Sequence, residues 1–389
     1  MNNNSKLFQL LPILMGFYVM GFCDIVGLSS DYVQRSFGWS PGITGFVPSM
    51  VFIWFLFLGI PFGNLMNRIG RKTTVMISFV VTIVGMLLPL VFFNSVVCIL
   101  AFALLGIGNT ILQVSLNPLL GNIVKNPRFL TSSLTAGQVV KAVSSLLGPE
   151  MVLLAIGIWG DEKWYYCFPI LGFITILTAI WLLLTPIERE TIAGEDTSLA
   201  STFALFKDNI IFLLFLGIIF IVGLDVSVNY ISSKLMAERF FWGEETVKFA
   251  PQVYFFCRTL GALLGAYLLT RIDGVKYFRT NILICVGVIL LLMFVKQPVV
   301  DMVCIGAIGF LASSIFSIIY SVALQKRPDK ANEISGLMIT AISGGAIVTP
   351  VIGFSIEWFG ITGGVGVILI CAVYLTYCSL KLKIDLETA

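Results

Sequence analysis

Histidine is missing from all 389 residues, and charged side chains make up only 12% of them. The first absence leaves no imidazole for a metal site or a proton relay, so any proton carrier has to be a carboxylate. The second excludes an ordinary soluble domain, in which about a quarter of the residues are charged. Cysteine never forms a CxxC pair: Cys23, Cys98, Cys167, Cys257, Cys285, Cys304, Cys371 and Cys378 stand singly in apolar runs. Zinc and thiol-redox motifs are thereby excluded, and these cysteines read as small fillers of apolar helices. No serine or cysteine stands beside a plausible base, which argues against a membrane-embedded enzyme. No cofactor is expected and no metal site. The net charge of +3 is spread over many loops, so nucleic-acid binding is not expected. Short alternating segments of the kind a β-barrel requires are absent as well.

What is present is apolar length. Hydrophobic residues make up 58% of the chain and the mean hydropathy is +0.99. Blocks such as Val75 to Phe93 approach the ~20 residues that a bilayer core requires of a helix. Twelve spans are expected, at 7–30, 42–66, 73–93, 95–124, 131–157, 165–185, 209–233, 248–271, 277–295, 299–324, 333–355 and 362–381. The polar start, Met1 to Lys6, leads straight into the first of these, so no cleavable signal is expected. Loops after even-numbered spans hold Arg68, Arg71, Lys72, Lys125, Arg128, Arg189, Lys207, Arg271, Lys276, Arg279, Lys326, Arg327 and Lys330. Loops after odd-numbered spans hold only Arg35, Lys163, Lys234, Arg239, Lys248 and Lys296. The excess of positive charge places both termini in the cytoplasm.

The longest polar stretch divides the chain into 1–185, a cytoplasmic linker at 186–208, and 209–389. The two large parts resemble each other. Asp24 followed by Phe37-Gly38-Trp39 has its counterpart in Asp225 followed by Phe241-Trp242-Gly243. The basic turn Gly63 to Lys72 has its counterpart in Gly265 to Lys276, and Gly148-Pro149 in Thr349-Pro350. The fold class expected is therefore an all-α membrane protein, with twelve transmembrane helices in two pseudo-symmetric six-helix bundles. Duplicated halves suggest a carrier that binds its solute at the midplane between them and works by alternating access.

Polar residues inside spans cost free energy and need reasons. Asp24, in the middle of span one, can load and release a proton near neutral pH. Asn109, Gln113 and Asn117 recur every four residues and so share a face of span four. Their amides suit hydroxyl groups, offering donor and acceptor together. Gln138, Lys141 and Ser145 share a face of span five, where Lys141 could neutralise Asp24 or bind an anionic solute. Asp225 and Asn229 lie one turn apart in span seven. Arg258 in span eight needs a carboxylate, and Asp225 is the candidate, as a structural ion pair or as part of a gate. In span ten Ser313, Ser314, Ser317, Tyr320 and Ser321 either touch solute or let helices pack closely. Trp54 and Tyr320 could offer a flat surface to a sugar ring.

The turn Gly63-Asn64-Leu65-Met66-Asn67-Arg68-Ile69-Gly70-Arg71-Lys72 resembles the signature loop of the major facilitator superfamily, with Asn67 where Asp is usual. Gly63 and Gly70 would let helices approach, and Arg68 and Arg71 would bond carbonyls ending a neighbouring helix. Within that superfamily the chain resembles the fucose–proton symporter family. The resemblance rests on Asp24, on Gln113-Val114-Ser115-Leu116-Asn117-Pro118, on Phe255 to Gly261 and on Ser343 to Gly353. It implies uptake of a sugar, coupled to H⁺ or Na⁺, by a monomer in a bacterial inner membrane. It implies a coupling role for Asp24 and matches Gln138 to a polar position and Arg258 to an Arg of the family. Together with the reading of the residues themselves, coupling is expected at Asp24, Lys141, Asp225 and Arg258, and binding at Asn109, Gln113, Asn117, Gln138, Asn229, Ser317 and Tyr320. The family has a Glu where Gln113 stands and an amide where Lys141 stands. Gln113 cannot titrate, which leaves one carboxylate at this site, or points to Na⁺ or to uniport. Proton-coupled export of organic ions on the same fold is the alternative function.

Overall fold

The computed structural model describes residues 3–39, 49–190 and 198–382. The start of the expected second span and residues 191–197 of the linker lie outside them. Among the described residues there is no strand, and ten helices are long and apolar enough to cross a membrane. The first span and the eighth complete twelve.

The first span is broken: α1 (Asn3–Gly21) passes through a tight 3₁₀ turn, Phe22–Asp24, into α2 (Ile25–Phe37). Then come α3 (Ser49–Ile69), α4 (Arg71–Val91), α5 (Ser95–Ile123), α6 (Pro127–Trp159) and α7 (Cys167–Leu184). The short α8 (Leu199–Ala204) precedes α9 (Asn209–Phe240), α10 (Phe249–Leu268) and α11 (Gly274–Phe294). Span ten is divided at Ser313 and Ser314 into α12 (Pro298–Ala312) and α13 (Ile315–Lys326). Span eleven is divided at Ala341–Ser343 into α14 (Ala331–Thr340) and α15 (Gly344–Phe359), and α16 (Ile361–Lys381) ends the series.

The breaks fall at polar and small residues rather than at the prolines. Helix α6 runs through Pro149 and α5 runs through Pro118. A proline inside a helix leaves the carbonyl four residues earlier without its donor. For Pro118 that carbonyl belongs to Val114, and the Ser335 hydroxyl of α14 donates to it instead.

The chain forms two compact units. The first comprises Met1–Lys125, Gly137–Ala204 and Arg327–Thr340; the second comprises Asn126–Ala136, Leu205–Lys326 and Ala341–Ala389. Each is one half of the chain with a short piece of the other half added. In the first unit α14 packs along α3 and α5. A Cβ on Gly63 would stand 2.8 Å from the Asn332 carbonyl and 2.9 Å from the Gly336 Cα, so this crossing admits nothing larger than glycine. In the second unit the Thr131 hydroxyl lies 2.7 Å from that of Ser321, and the Ser132 hydroxyl donates to the Ala266 carbonyl at 2.6 Å.

Both units close the last turn of their sixth span with a cation from the third. Lys72 Nζ donates to the carbonyls of Leu183 (2.9 Å) and Thr185 (2.8 Å). Arg279 Nη2 donates to those of Ser379 (2.9 Å) and Leu382 (3.1 Å). Helix-terminal carbonyls lack intrahelical donors and carry partial negative charge, so a cation there is stabilising.

The expected linker is partly built into the first unit. Thr202 on α8 donates to Asn64 Oδ1 at 2.7 Å, and Arg189 Nη2 donates to the Arg68 carbonyl at 2.7 Å. Helix α9 also runs past its expected end at 233, to Phe240. Arg239 is consequently no loop cation: it is buried and paired with Asp301 at 2.8 Å, with side chains 5% and 0% exposed. Its Nη1 also donates to the Leu292 carbonyl at 2.7 Å, tying the C-terminal ends of α9 and α11 to the start of α12.

Candidate functional site

In each unit a carboxylate of the first span lies near a cation: Asp24 in the first and Asp225 in the second. In the first, the 3₁₀ turn at Phe22–Asp24 interrupts the helix and leaves the Asp24 side chain exposed. The Ser145 hydroxyl of α6 stands 2.6 Å from Asp24 Oδ2 and 3.0 Å from the Lys141 carbonyl one turn earlier. At this crossing α1 and α6 touch through their backbones, and a Cβ on Gly21 would stand 2.5 Å from the Lys141 carbonyl. Lys141 and Gln138 are both half-buried on α6. Lys141 forms no ion pair with Asp24, although both charges act on the neighbouring Cys23 thiol.

The amides expected along one face of α5 are placed differently. Asn109, Gln113 and Asn117 are 6%, 4% and 1% exposed. Asn109 lines a cavity of about 10 Å³ with Cys23, Thr82, Met86 and Leu105, which is room for one water and no solute. Asn117 Nδ2 donates to the Gln113 carbonyl at 2.9 Å, and its Oδ1 is buried without a partner. Helix α5 is packed by α1, α3, α4 and α14, which leaves these amides inside the first unit. A helix periodicity shows that residues share a face, and tertiary packing decides what that face meets.

In the second unit Asp225 on α9 meets Arg258 on α10, with Arg258 Nε 2.8 Å from Asp225 Oδ1. Tyr254, one turn before Arg258 and fully buried, donates its hydroxyl to the same oxygen. The carboxylate is therefore held by a cation and a phenol, while its side chain stays 28% exposed. Asn229, one turn along α9, is exposed. The sequence reading paired Asp225 with Arg258 and missed Tyr254, whose only signal was its four-residue spacing from Arg258. Ser317 and Tyr320 are each 1% exposed, and Tyr320 stacks on Phe316 at 5.9 Å between centroids. Trp54 is half-buried on α3, with its indole N–H unpartnered.

The Gly–Arg turn is a third polar centre. Gly70 sits at φ +89°, a conformation that favours glycine. This sharp turn hands the chain from α3 to α4 and points Arg71 inward. Arg71 Nε donates to Asn332 Oδ1 (2.6 Å), and Nη1 donates to Asn122 Oδ1 (2.6 Å) and to the Pro118 carbonyl (3.0 Å). Asn332 in turn donates to Asn67 Oδ1 at 2.7 Å. Glu190 completes the cluster, accepting from the Arg71 backbone N–H at 2.7 Å and from Asn122 Nδ2 at 3.1 Å. Arg71 thus bonds a neighbouring helix as expected. Arg68 does not: its side chain is exposed, and only its carbonyl is engaged.

A family model described as Major Facilitator Superfamily matches residues 11–350. A glucose/galactose transporter of Brucella abortus is 24% identical over 96% of this chain and 93% of its own length. A putative glucose/galactose transporter of Helicobacter pylori is 22% identical over 98% of both. Among solved structures, the E. coli fucose:proton symporter superposes with a TM-score of 0.86 at 16% identity, over 97% of this chain and 98% of that one. A proton:xylose symporter superposes with a TM-score of 0.74 at 13% identity, over 97% and 95%.

Proposed function

The chain belongs to the major facilitator superfamily, and from that premise we propose that it takes up a sugar or a similar polyhydroxy solute together with a proton. It is a multi-pass membrane protein of a superfamily of carriers, not an enzyme. The reading extends to a monomer in a bacterial inner membrane, with both termini cytoplasmic as the loop charges require.

One observation carries the reading. Each unit presents, from its first span, a carboxylate with a cation and an amide nearby. These are Asp24, Lys141 and Gln138 in one unit, and Asp225, Arg258 and Asn229 in the other. Such groups offer sugar hydroxyls both donors and acceptors. The sugar transporters similar to this chain over nearly its full length support the same solute class. The remaining assigned residues then support the binding groups. Asn109, Gln113 and Asn117 shape α5 behind Asp24, and Ser317 and Tyr320 pack α13.

Coupling is assigned to Asp24. Among the described residues its side chain bonds one hydroxyl, that of Ser145, whereas a hard cation requires several converging oxygen ligands. Asp225 is already matched by Arg258 and Tyr254 and serves to hold charge in place. The Gly63, Gly70 and Arg71 cluster with Asn332 acts as a conformational contact that has to be made and broken during the transport cycle.

The test is a thermal-shift screen of purified protein against neutral hexoses, pentoses and sugar acids, with and without Na⁺ over a pH range, followed by uptake into proteoliposomes. Stabilisation by a polyhydroxy solute, following mass action, and uptake driven by an imposed pH gradient are the expected results. Drug-like cations stabilising the protein, with no response to any polyhydroxy solute, would replace this reading with export.

A further inference from the structure

The two sites differ in how their charges are matched. In the second unit the cation and the carboxylate are in contact, Arg258 Nε to Asp225 Oδ1 at 2.8 Å. In the first they are not. Asp24 has the Ser145 hydroxyl as its partner, and among the described residues Lys141 enters no ion pair. Yet Lys141 is half-buried in the middle of α6, at the point where that helix touches α1 three residues before Asp24. An ammonium placed so deep, with no counter-ion in contact, is costly unless an anion joins it. Cys23, on the same turn as Asp24, lies within reach of both Asp24 and Lys141, and α5 contributes the neutral Asn109 beside it.

Charge balance then selects the solute. The empty site holds one negative and one positive charge and is neutral overall. A neutral sugar leaves it neutral, so no proton is required, and adding one makes the site positive. A monoanion makes the site negative, and one proton on Asp24 restores neutrality. A site that crosses a low-dielectric region is favoured when neutral.

We propose that the solute is a sugar monocarboxylate, whose carboxylate pairs with Lys141 Nζ while Asp24 takes up the accompanying proton. The proposal rests on the reading of the chain as a proton-coupled carrier of polyhydroxy solutes, and narrows it. Gln138, one turn from Lys141 on the same face, is the amide available to a hydroxyl of the same solute. Uptake is then electroneutral, one anion with one proton. A neutral sugar moving with a proton would carry one positive charge inward.

The experiment uses the full chain in proteoliposomes, with D-glucuronate and D-gluconate as acids and D-glucose and D-galactose as neutral controls. Binding is read by thermal shift, transport by isotope uptake, proton movement by an internal pH dye, and charge by current on a solid-supported membrane. The expected result is that an acid binds about tenfold or more tightly than its neutral counterpart, entering with a proton and without current. In Lys141→Gln the ratio of acid to neutral affinity falls about tenfold or more, and in Lys141→Arg the preference for acid persists. Neutral hexose binding as well as the acid, or entering with a proton and a current, overturns the inference and leaves the sugar–proton reading standing. No response to acids or neutral sugars, in binding or transport, brings down both. If Lys141→Gln does not fold, the wild-type comparison of acid with neutral sugar decides alone.

Discussion

The two units place a carboxylate at matching points of their first spans and treat it in opposite ways. Asp24 sits at the end of a 3₁₀ turn, exposed, against a neutral hydroxyl. Asp225 sits inside an unbroken helix of 32 residues, against a guanidinium and a phenol. The difference is what a duplicated scaffold permits: one copy of a charged position can stay exposed beside a neutral group while the other is fixed in an ion pair. The two Gly–Arg turns diverged in the same manner. Arg71 is drawn into a cluster with Asn122, Asn332 and Glu190. At the matching turn, Asp273 caps α11 through the Lys276 N–H at 2.8 Å, while the exposed Arg271 lies over the Tyr267 ring at 5.0 Å.

The largest effect is expected at the carboxylates. Asp24→Asn is expected to abolish concentrative uptake in proteoliposomes while sparing counterflow exchange. Unchanged accumulation would remove Asp24 from coupling and erase the contrast with Asp225. Next come the turns. Arg71→Ala removes three charge-assisted bonds and should lower unfolding stability by about 2 kcal/mol. Arg271→Ala should change it by less than about 0.5 kcal/mol. Equal losses in chemical denaturation would mean that the turns do the same work. Tyr254→Phe removes one of two donors to Asp225, and a loss of about 1 kcal/mol is expected. A loss above about 3 kcal/mol would show that Arg258 alone cannot hold the carboxylate.

The smallest effect concerns the turn before α14. The Arg327 guanidinium, 2.9–3.0 Å from both oxygens of Asp329, holds that carboxyl below its ordinary range. Its small stabilisation is therefore present above the ordinary carboxylate range and disappears as pH falls through the lowered value. The pair is about half exposed, so Asp329→Asn should flatten the acid limb of a melting profile by well under 1 kcal/mol.

Helix number and the two-part layout were legible because they rest on a summed property, about 20 apolar residues per span, and on the long polar stretch between the halves. The Asp225–Arg258 pair was legible too, since two lone charges in adjacent spans have few alternatives to each other. The C-terminal end of α9 was not. Arg239 looks like a loop residue until Asp301, sixty-two positions later, is brought beside it. Nor could the sequence show that Gln113 and Asn117 are buried, because the helices packed on α5 include α14, from more than two hundred residues away.

By itself, then, the amino-acid sequence determined what each span must be: a helix of membrane length, its basic ends on one side, its few charges too costly to leave without a purpose. Only the tertiary structure decided which of those charges touch. Contact between distant side chains depends on helix crossings, and these are set by small residues such as Gly21 and Gly63 packing backbone on backbone. That geometry leaves Asp24 and Lys141 apart while it binds Asp225 to Arg258.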